Sequence, residues 1–372
     1  MKIALLAGEI SGDQYGALLA EYLRNFQPDL TLIGLGGRKM AQARVRFLAE
    51  IPLGTIGWTD VFRKLPGYYQ AYQHVCREVF REKPDLIVFL DNPGFNLQLA
   101  KALGKKFPCY YYIPPKVWAH GHNRLRIMKE YIQAVIAIFP FEVSYFQKEG
   151  ISCYWFGHPI VDIIDWQVET KQLEEKYLGE REKSLLGILP GSRKQEIEYL
   201  VPELLPLAQE IQSREKLEIV FSAVDEESRL LQERIMKQKK IHFPIWQGSS
   251  YALMKRSQAL LAACGTVNLE VALLGKPFLV VYKTSLLNYL IARSVVKLKF
   301  ASPVNICLGK KVVPEHLQFI DCEVVTGQVR ELIQKGRLYQ QEKEGFLELG
   351  KLFPRENVSR KVAGFLLQHA RK

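Results

Sequence analysis

Short apolar runs rich in β-branched and aromatic residues alternate along the chain with longer stretches whose apolar positions recur at helical spacing. Parallel strands cannot be joined by tight turns and need crossovers, so this alternation predicts α/β structure with parallel sheets flanked by helices. A first series of strands is expected at 2–7, 30–34, 85–90, 109–113, 134–138 and 153–156, and a second at 184–189, 217–222, 241–245, 259–263 and 277–282. The stretch between the series is polar and charged. The pattern therefore predicts two doubly wound domains facing each other across a cleft, at 1–165 and 184–339, with a linker at 166–183. Residues 340–372 read as helical, with a break at Pro354, a segment able to cap its own domain or cross back to the first.

Composition narrows the class. With 48% hydrophobic residues and 11% aromatics, the chain is neither disordered nor low-complexity, and at 372 residues one core ordinarily splits into two. The cysteines at 76, 109, 153, 264, 307 and 322 hold no CxxC pair and are too sparse to staple the fold, which fits a reducing compartment. The apolar opening stretch meets Gly8 and Glu9 too early for a signal peptide. No run approaches the roughly 18 apolar residues of a membrane span; the greasiest, 286–300, is interrupted by Arg293, Lys297 and Lys299. The formal charge of +12 permits nucleic acid, an anionic membrane face or an anionic small substrate. Nucleic acid is set aside because the chain has no zinc-finger spacing, RNP-like motif or continuous basic tail.

Ligands of doubly wound sheets sit beyond the carboxyl ends of the strands, so the chemistry is sought there. The first strand ends in Gly8-Glu9-Ile10-Ser11-Gly12-Asp13, expected as a loop before a helix at 14–26, with Ser11 or Asp13 as N-cap. Glu9 is a carboxylate where a purely structural acid is out of place. Asp91 follows the strand at 85–90 and suits a general base toward a hydroxyl, although Asp also commonly opens a turn before proline. His120 and His122 lack a carboxylate or cysteine at metal-ligand spacing, so no metal is predicted. In the second half, Pro190-Gly191-Ser192-Arg193 joins a strand to a helix and offers N–H donors, the Ser192 hydroxyl and a guanidinium to a diphosphate, without the GK[ST] ending of a nucleotide-hydrolysing loop. Cys264-Gly265-Thr266 forms a second such turn, with Gly265 and Thr266 facing phosphate and Glu270 one helical turn on, placed to accept bonds from ribose hydroxyls. Cys264 reads more readily as a small buried residue than as a nucleophile. Two phosphate-friendly helix starts in one domain and a carboxylate-bearing cleft in the other suggest a nucleotide-linked donor meeting a hydroxyl acceptor, the chemistry of glycosyl transfer.

Taken in order, AGEISGDQYGA, DNPGFNLQLAK, PPKVWAHGHNR, FPFE, FGHPIVD, LPGSRKQEI, CGTVNLE and SPVNICLGKKVVPEHLQ resemble the lipid-A-disaccharide synthase family over nearly the whole chain. The resemblance implies a GT-B fold of two Rossmann-like domains. It implies an inverting transfer between UDP-2,3-diacylglucosamine and 2,3-diacylglucosamine 1-phosphate, giving the lipid A disaccharide precursor and UDP at the inner face of the cytoplasmic membrane of a Gram-negative bacterium, without a cofactor. Carried over by motif, Glu9 matches the acid of the first loop, Asp91 the acid ending its strand, Arg193 the arginine of PGSR, and Asn305 the asparagine after the Ser302-Pro303 turn, a donor-binding position. The chain departs from the pattern at Gly94, where a second aspartate is often found, and at Cys264, where serine is commoner. Asp91 is preferred as the base, with Glu9 next.

Acyl chains need an apolar docking surface. Trp58, Phe62, Arg63 and Lys64 in one segment, and Arg293 and Lys297 in another, mix greasy and basic residues as interfacial segments do, although an ordinary amphipathic helix has the same look. Oligomeric state is open, a homodimer being among the states allowed. The competing readings are another UDP-N-acetylglucosamine enzyme, either a lipid-linked cell-wall glycosyltransferase or a 2-epimerase, and a noncatalytic basic protein, against which Glu9, Asp91 and Glu270 argue.

Overall fold

A computed structural model of the chain describes residues 1–49, 65–119, 121–177, 184–286, 288–290 and 299–370. Two compact units emerge, one of Met1–Asp162 with Pro354–Lys372 and one of Ile163–Phe353.

In the first unit, strands β1 (Lys2–Ala7), β2 (Thr31–Leu35), β3 (Arg46–Phe47), β4 (Leu86–Leu90), β5 (Cys109–Tyr112), β6 (Ala134–Ala137) and β7 (Cys153–Trp155) form one sheet in the order β3-β2-β1-β4-β5-β6-β7. Every pairing is parallel. The central strands are buried on both faces, as crossover helices require, which is why LIVFL at β4 is continuously apolar rather than alternating. In the second unit, β8 (Leu185–Leu189), β9 (Glu218–Ser222), β10 (Ile245–Trp246), β11 (Ala259–Ala263), β12 (Phe278–Tyr282) and β13 (Glu315–Leu317) are ordered β10-β9-β8-β11-β12-β13, again all parallel.

Several sequence expectations are corrected. The edge strands β3 and β13 are additions, and β10 lies at Ile245–Trp246 instead of 241–245. The first helix begins at Ile10, so Ser11 and Asp13 lie inside it and Glu9 occupies the N-cap position. Asp13 instead accepts the backbone N–H groups of Gly37, Lys39 and Met40 at 2.7–3.0 Å and fastens the start of the Arg38–Gln42 helix. The described part of the expected linker holds a helix, Lys171–Tyr177, that belongs to the second unit: the Tyr177 hydroxyl donates to the Ile245 carbonyl at 2.7 Å, and Arg256 pairs with Glu174 at 3.0 Å.

The tail also divides. Helix Arg337–Leu352 packs in the second unit, whereas helix Val358–Ala370 packs on the first. Asp162 accepts the N–H groups of Val358 and Ser359 at 3.1 and 2.7 Å, which caps the last helix and satisfies donors its first turn leaves open. Phe365 then packs its ring on Tyr154, Phe156 and Tyr110 at centroid distances of 4.6, 5.3 and 6.0 Å.

Candidate functional site

The order in which successive strands are added across each parallel sheet reverses at one place, between β1 and β4 in the first unit and between β8 and β11 in the second. Connections there diverge to opposite faces and leave a crevice at the strands' carboxyl ends. Glu9 and Asp91 follow β1 and β4; Gly191–Arg193 and Cys264–Thr266 follow β8 and β11.

In the first unit, Asp91 and Asn92 take left-handed backbone conformations in succession, with φ of 52° and 40°. Non-glycine residues adopt this region at a cost, so the surroundings must hold them. Asn96, wholly buried, donates its amide to the carbonyls of Leu6, Leu90 and Asp91 at 3.1, 3.2 and 2.8 Å. The Tyr111 hydroxyl donates to the Asp91 carbonyl at 2.7 Å, and the Asn92 side chain accepts the Phe95 N–H, capping the next helix. Gly8 is needed here because a Cβ would collide with the Asn92 side chain. The backbone at Asp91 is thus pinned while its carboxylate remains half-buried at the crevice. Burial pushes the Tyr111 hydroxyl's pKa well up, and the charges of Asp91, Arg124 and Glu9 all act on it. The two predicted acids therefore share one neighbourhood with Arg124, a cation that sequence reasoning passed over although it ends the PPKVWAHGHNR segment.

A second cluster lies beyond β5 and β6. The buried Glu142 carboxylate accepts the Trp118 indole N–H at 2.9 Å and the N–H groups of Ile138 and Phe139 at 3.1 Å, binding the PPKVWA and FPFE segments together. Burial raises its pKa against the pull of those bonds. Trp118 meets Phe141 edge-on at 5.0 Å, and His158 lies against Phe139 at 5.4 Å.

In the second unit, Ser192, Arg193, Gly265 and Thr266 line the two turns beyond β8 and β11. Gly191 has φ of 102°, and Glu196 accepts from the backbone N–H groups of Ser192 and Arg193 at 3.2 and 3.3 Å and from the Arg193 guanidinium at 3.0 Å. Buried Asn268 organises the other turn, accepting from Gly265 N–H at 3.3 Å and donating to the Ala263 carbonyl at 2.9 Å. It is the second residue of its helix, where sequence reads it as an ordinary first-turn polar residue. A Cβ at Gly265 would meet nothing within 4 Å, so this turn presents an open face, with Glu270 half-buried on the helix that follows. Burial raises the pKa of Tyr282, at the end of β12, and the charges of Glu196 and Arg193 also act on it.

Asn305 is corrected. It is wholly buried, its amide donates to the Val313 carbonyl and the Glu315 carboxylate at 2.8 Å each, and its oxygen accepts from Val312 and Val313 at 2.7 and 3.0 Å. With every bonding position spent internally, it holds the 302–315 loop instead of touching a ligand. Glu315, unremarked in the sequence, shares that task by accepting from the N–H groups of Ala301 and Ser302 at 2.9 Å each. Trp58, Phe62, Arg63, Lys64, Arg293, Lys297 and His120 lie outside the described residues. Among the described residues, no cluster of three or more His, Cys, Asp or Glu could hold a metal, and no helix is long and apolar enough to cross a membrane.

Solved structures with this architecture include a UDP-GlcNAc 2-epimerase from Neisseria meningitidis bound to UDP-GlcNAc, with a TM-score of 0.66 at 14% identity over 99% of this chain and 100% of that one. At that identity the likeness speaks for fold alone, and it places the two sheets in the GT-B fold class. The sequence narrows the class. A family model described as lipid-A-disaccharide synthetase matches residues 3–353. The lipid-A-disaccharide synthase of Solibacter usitatus is 30% identical over 94% of this chain and 92% of its own, and that of Synechocystis sp. is 34% identical over 86% and 84%. The chain belongs to the lipid-A-disaccharide synthase family. It is a glycosyltransferase of lipid A biosynthesis with UDP-sugar and lipid substrates.

Proposed function

We propose that the chain transfers 2,3-diacylglucosamine from its UDP-linked donor to the 6-hydroxyl of 2,3-diacylglucosamine 1-phosphate by a single inverting displacement. Asp91 takes the hydroxyl proton as that oxygen bonds to the anomeric carbon; the bond from that carbon to the diphosphate breaks and UDP leaves. Glu9 is the alternative base. Ser192, Arg193, Gly265 and Thr266 steady the charge gathering on the diphosphate, and Glu270 holds the ribose hydroxyls. Strand order is the observation that carries this reading, since both acids follow the strands flanking one switch in that order and both phosphate-type turns follow those flanking the other.

Incubation of the protein with the UDP-linked sugar, with and without the monosaccharide 1-phosphate, tests it. Disaccharide and UDP should form only when both are present; an epimerised UDP-sugar formed without acceptor would point to the 2-epimerase reading. Asp91→Asn should slow turnover about 10²–10⁴-fold with UDP-sugar affinity retained, and near-normal turnover removes Asp91 as the base.

The same reading makes the protein peripheral at the inner face of the cytoplasmic membrane, with the segments of Trp58, Phe62, Arg63 and Lys64 and of Arg293 and Lys297 against anionic lipid. Leu286, Leu290 and Phe319, exposed by 58%, 54% and 76%, support an apolar surface beside the second segment. Co-sedimentation with anionic liposomes should fall when Arg63, Lys64, Arg293 and Lys297 are reversed in charge; unchanged binding refutes this surface.

A further inference from the structure

The diphosphate grip of the second unit already holds an anion, and that anion is part of the chain. One carboxylate, Glu196, collects the Ser192 N–H, the Arg193 N–H and the Arg193 guanidinium at 3.0–3.3 Å. Gly191 makes this possible, because a Cβ there would collide with the Glu196 carboxylate. The Glu196 side chain is 14% exposed against 73% for Arg193, so the acid sits inside the turn and the guanidinium outside it. A phosphate oxygen seeking the same donors meets a negative charge in its place, and like charges at that separation repel.

We propose that Glu196 is a built-in competitor for the donor's diphosphate, exchanging with it at the β8 turn on every catalytic cycle. The inference rests on the assignment of that turn to UDP made above. Between turnovers the carboxylate occupies these donors, and a bound diphosphate displaces it and takes Arg193 with it. The arrangement trades affinity for exchange: both the UDP-sugar and the product UDP bind less tightly than the donors alone would allow, which favours product departure. Glu196 thereby acts through Arg193 and the turn, as a positioning residue.

Calorimetric titration of the full-length protein with UDP, and with uridine as a probe lacking the diphosphate, separates the possibilities. Glu196→Gln keeps an acceptor for the two backbone N–H groups, and so the helix cap, while removing the charge. The variant should bind UDP about tenfold more tightly than the wild type, because charge-assisted bonds to the ligand no longer compete with an internal one, while uridine affinity stays the same. Arg193→Ala should weaken UDP binding, and the gain from Glu196→Gln should shrink when the two are combined. If Arg193→Ala weakens UDP binding but Glu196→Gln leaves it unchanged, Glu196 is only a helix cap and the proposal falls. Weaker UDP binding in Glu196→Gln overturns it too, because the acid would then be holding Arg193 ready for the ligand. If Arg193→Ala leaves UDP binding intact, the assignment of the turn to UDP fails instead.

Discussion

The His158 imidazole is buried beside the short Pro159–Asp162 helix, and its Nδ1 accepts the Ile160 N–H at 3.1 Å, a bond that requires an unprotonated nitrogen. Burial, reinforced by the charge of Lys116, pushes its pKa down to about 3. The unfolded chain takes up this proton near pH 6.5 and the folded chain only near pH 3, so stability drains as pH falls through that window. His158→Asn retains an acceptor for Ile160 without the titration. Urea unfolding between pH 6 and pH 4 should show the wild type losing up to about 1.4 kcal/mol per pH unit more than the variant; parallel losses would mean the ring is not held neutral. At this scale the sequence exposes only part of the site. Glu9 and Asp91 stood out because carboxylates are conspicuous at the ends of apolar strands. Asn96, Asn268 and Glu315 did not, because a buried polar residue that bonds backbone reads in sequence like a surface one. Asn305 misled for the same reason: its motif marks a loop it builds, and its side chain never leaves the interior.

Helix Arg337–Leu352 carries a glutamate on its buried face. Glu342 accepts the Phe278 N–H at the head of β12 at 2.9 Å, and burial pushes its pKa well above the usual carboxylate range. A carboxyl raised in this way favours folding fully only below its unfolded pKa, near 4.5, and that contribution is lost as pH rises toward the folded value. Glu342→Gln keeps the acceptor and removes the titration, so thermal melting of the variant should exceed wild type at pH 8 and approach it near pH 5. A wild-type advantage at pH 8 would show that the carboxylate is tolerated ionised. Strands of five residues buried on both faces, such as β4 and β11, were legible because nothing but an interior explains LIVFL or ALLAA. Edge strands β3 and β13, two and three residues long with polar and apolar side chains mixed, carry no such signature and are found only by their pairing. The helix following β1 was read too short because its first turn, Ile10-Ser11-Gly12-Asp13, has loop composition, and Asp13 is spent on a neighbouring element instead of its own cap.

For the whole molecule, the twofold alternation of strands and helices was the most legible feature, and the path of the tail the least. Apolar positions in 358–370 announce a helix but not its dock, because the residues that receive it, Asp162, Tyr110, Tyr154 and Phe156, are far away in sequence and unremarkable where they stand. That separation has a consequence for synthesis. The ribosome completes the strands of the first sheet early, yet Asp162 must wait 196 residues for the N–H of Val358. Until then the rings that Phe365 covers stay open on the nascent chain, and the second unit is made in the meantime. The first-made sheet is therefore the last to be sealed, and a polypeptide interrupted anywhere in the second unit leaves the ribosome with an apolar face uncovered.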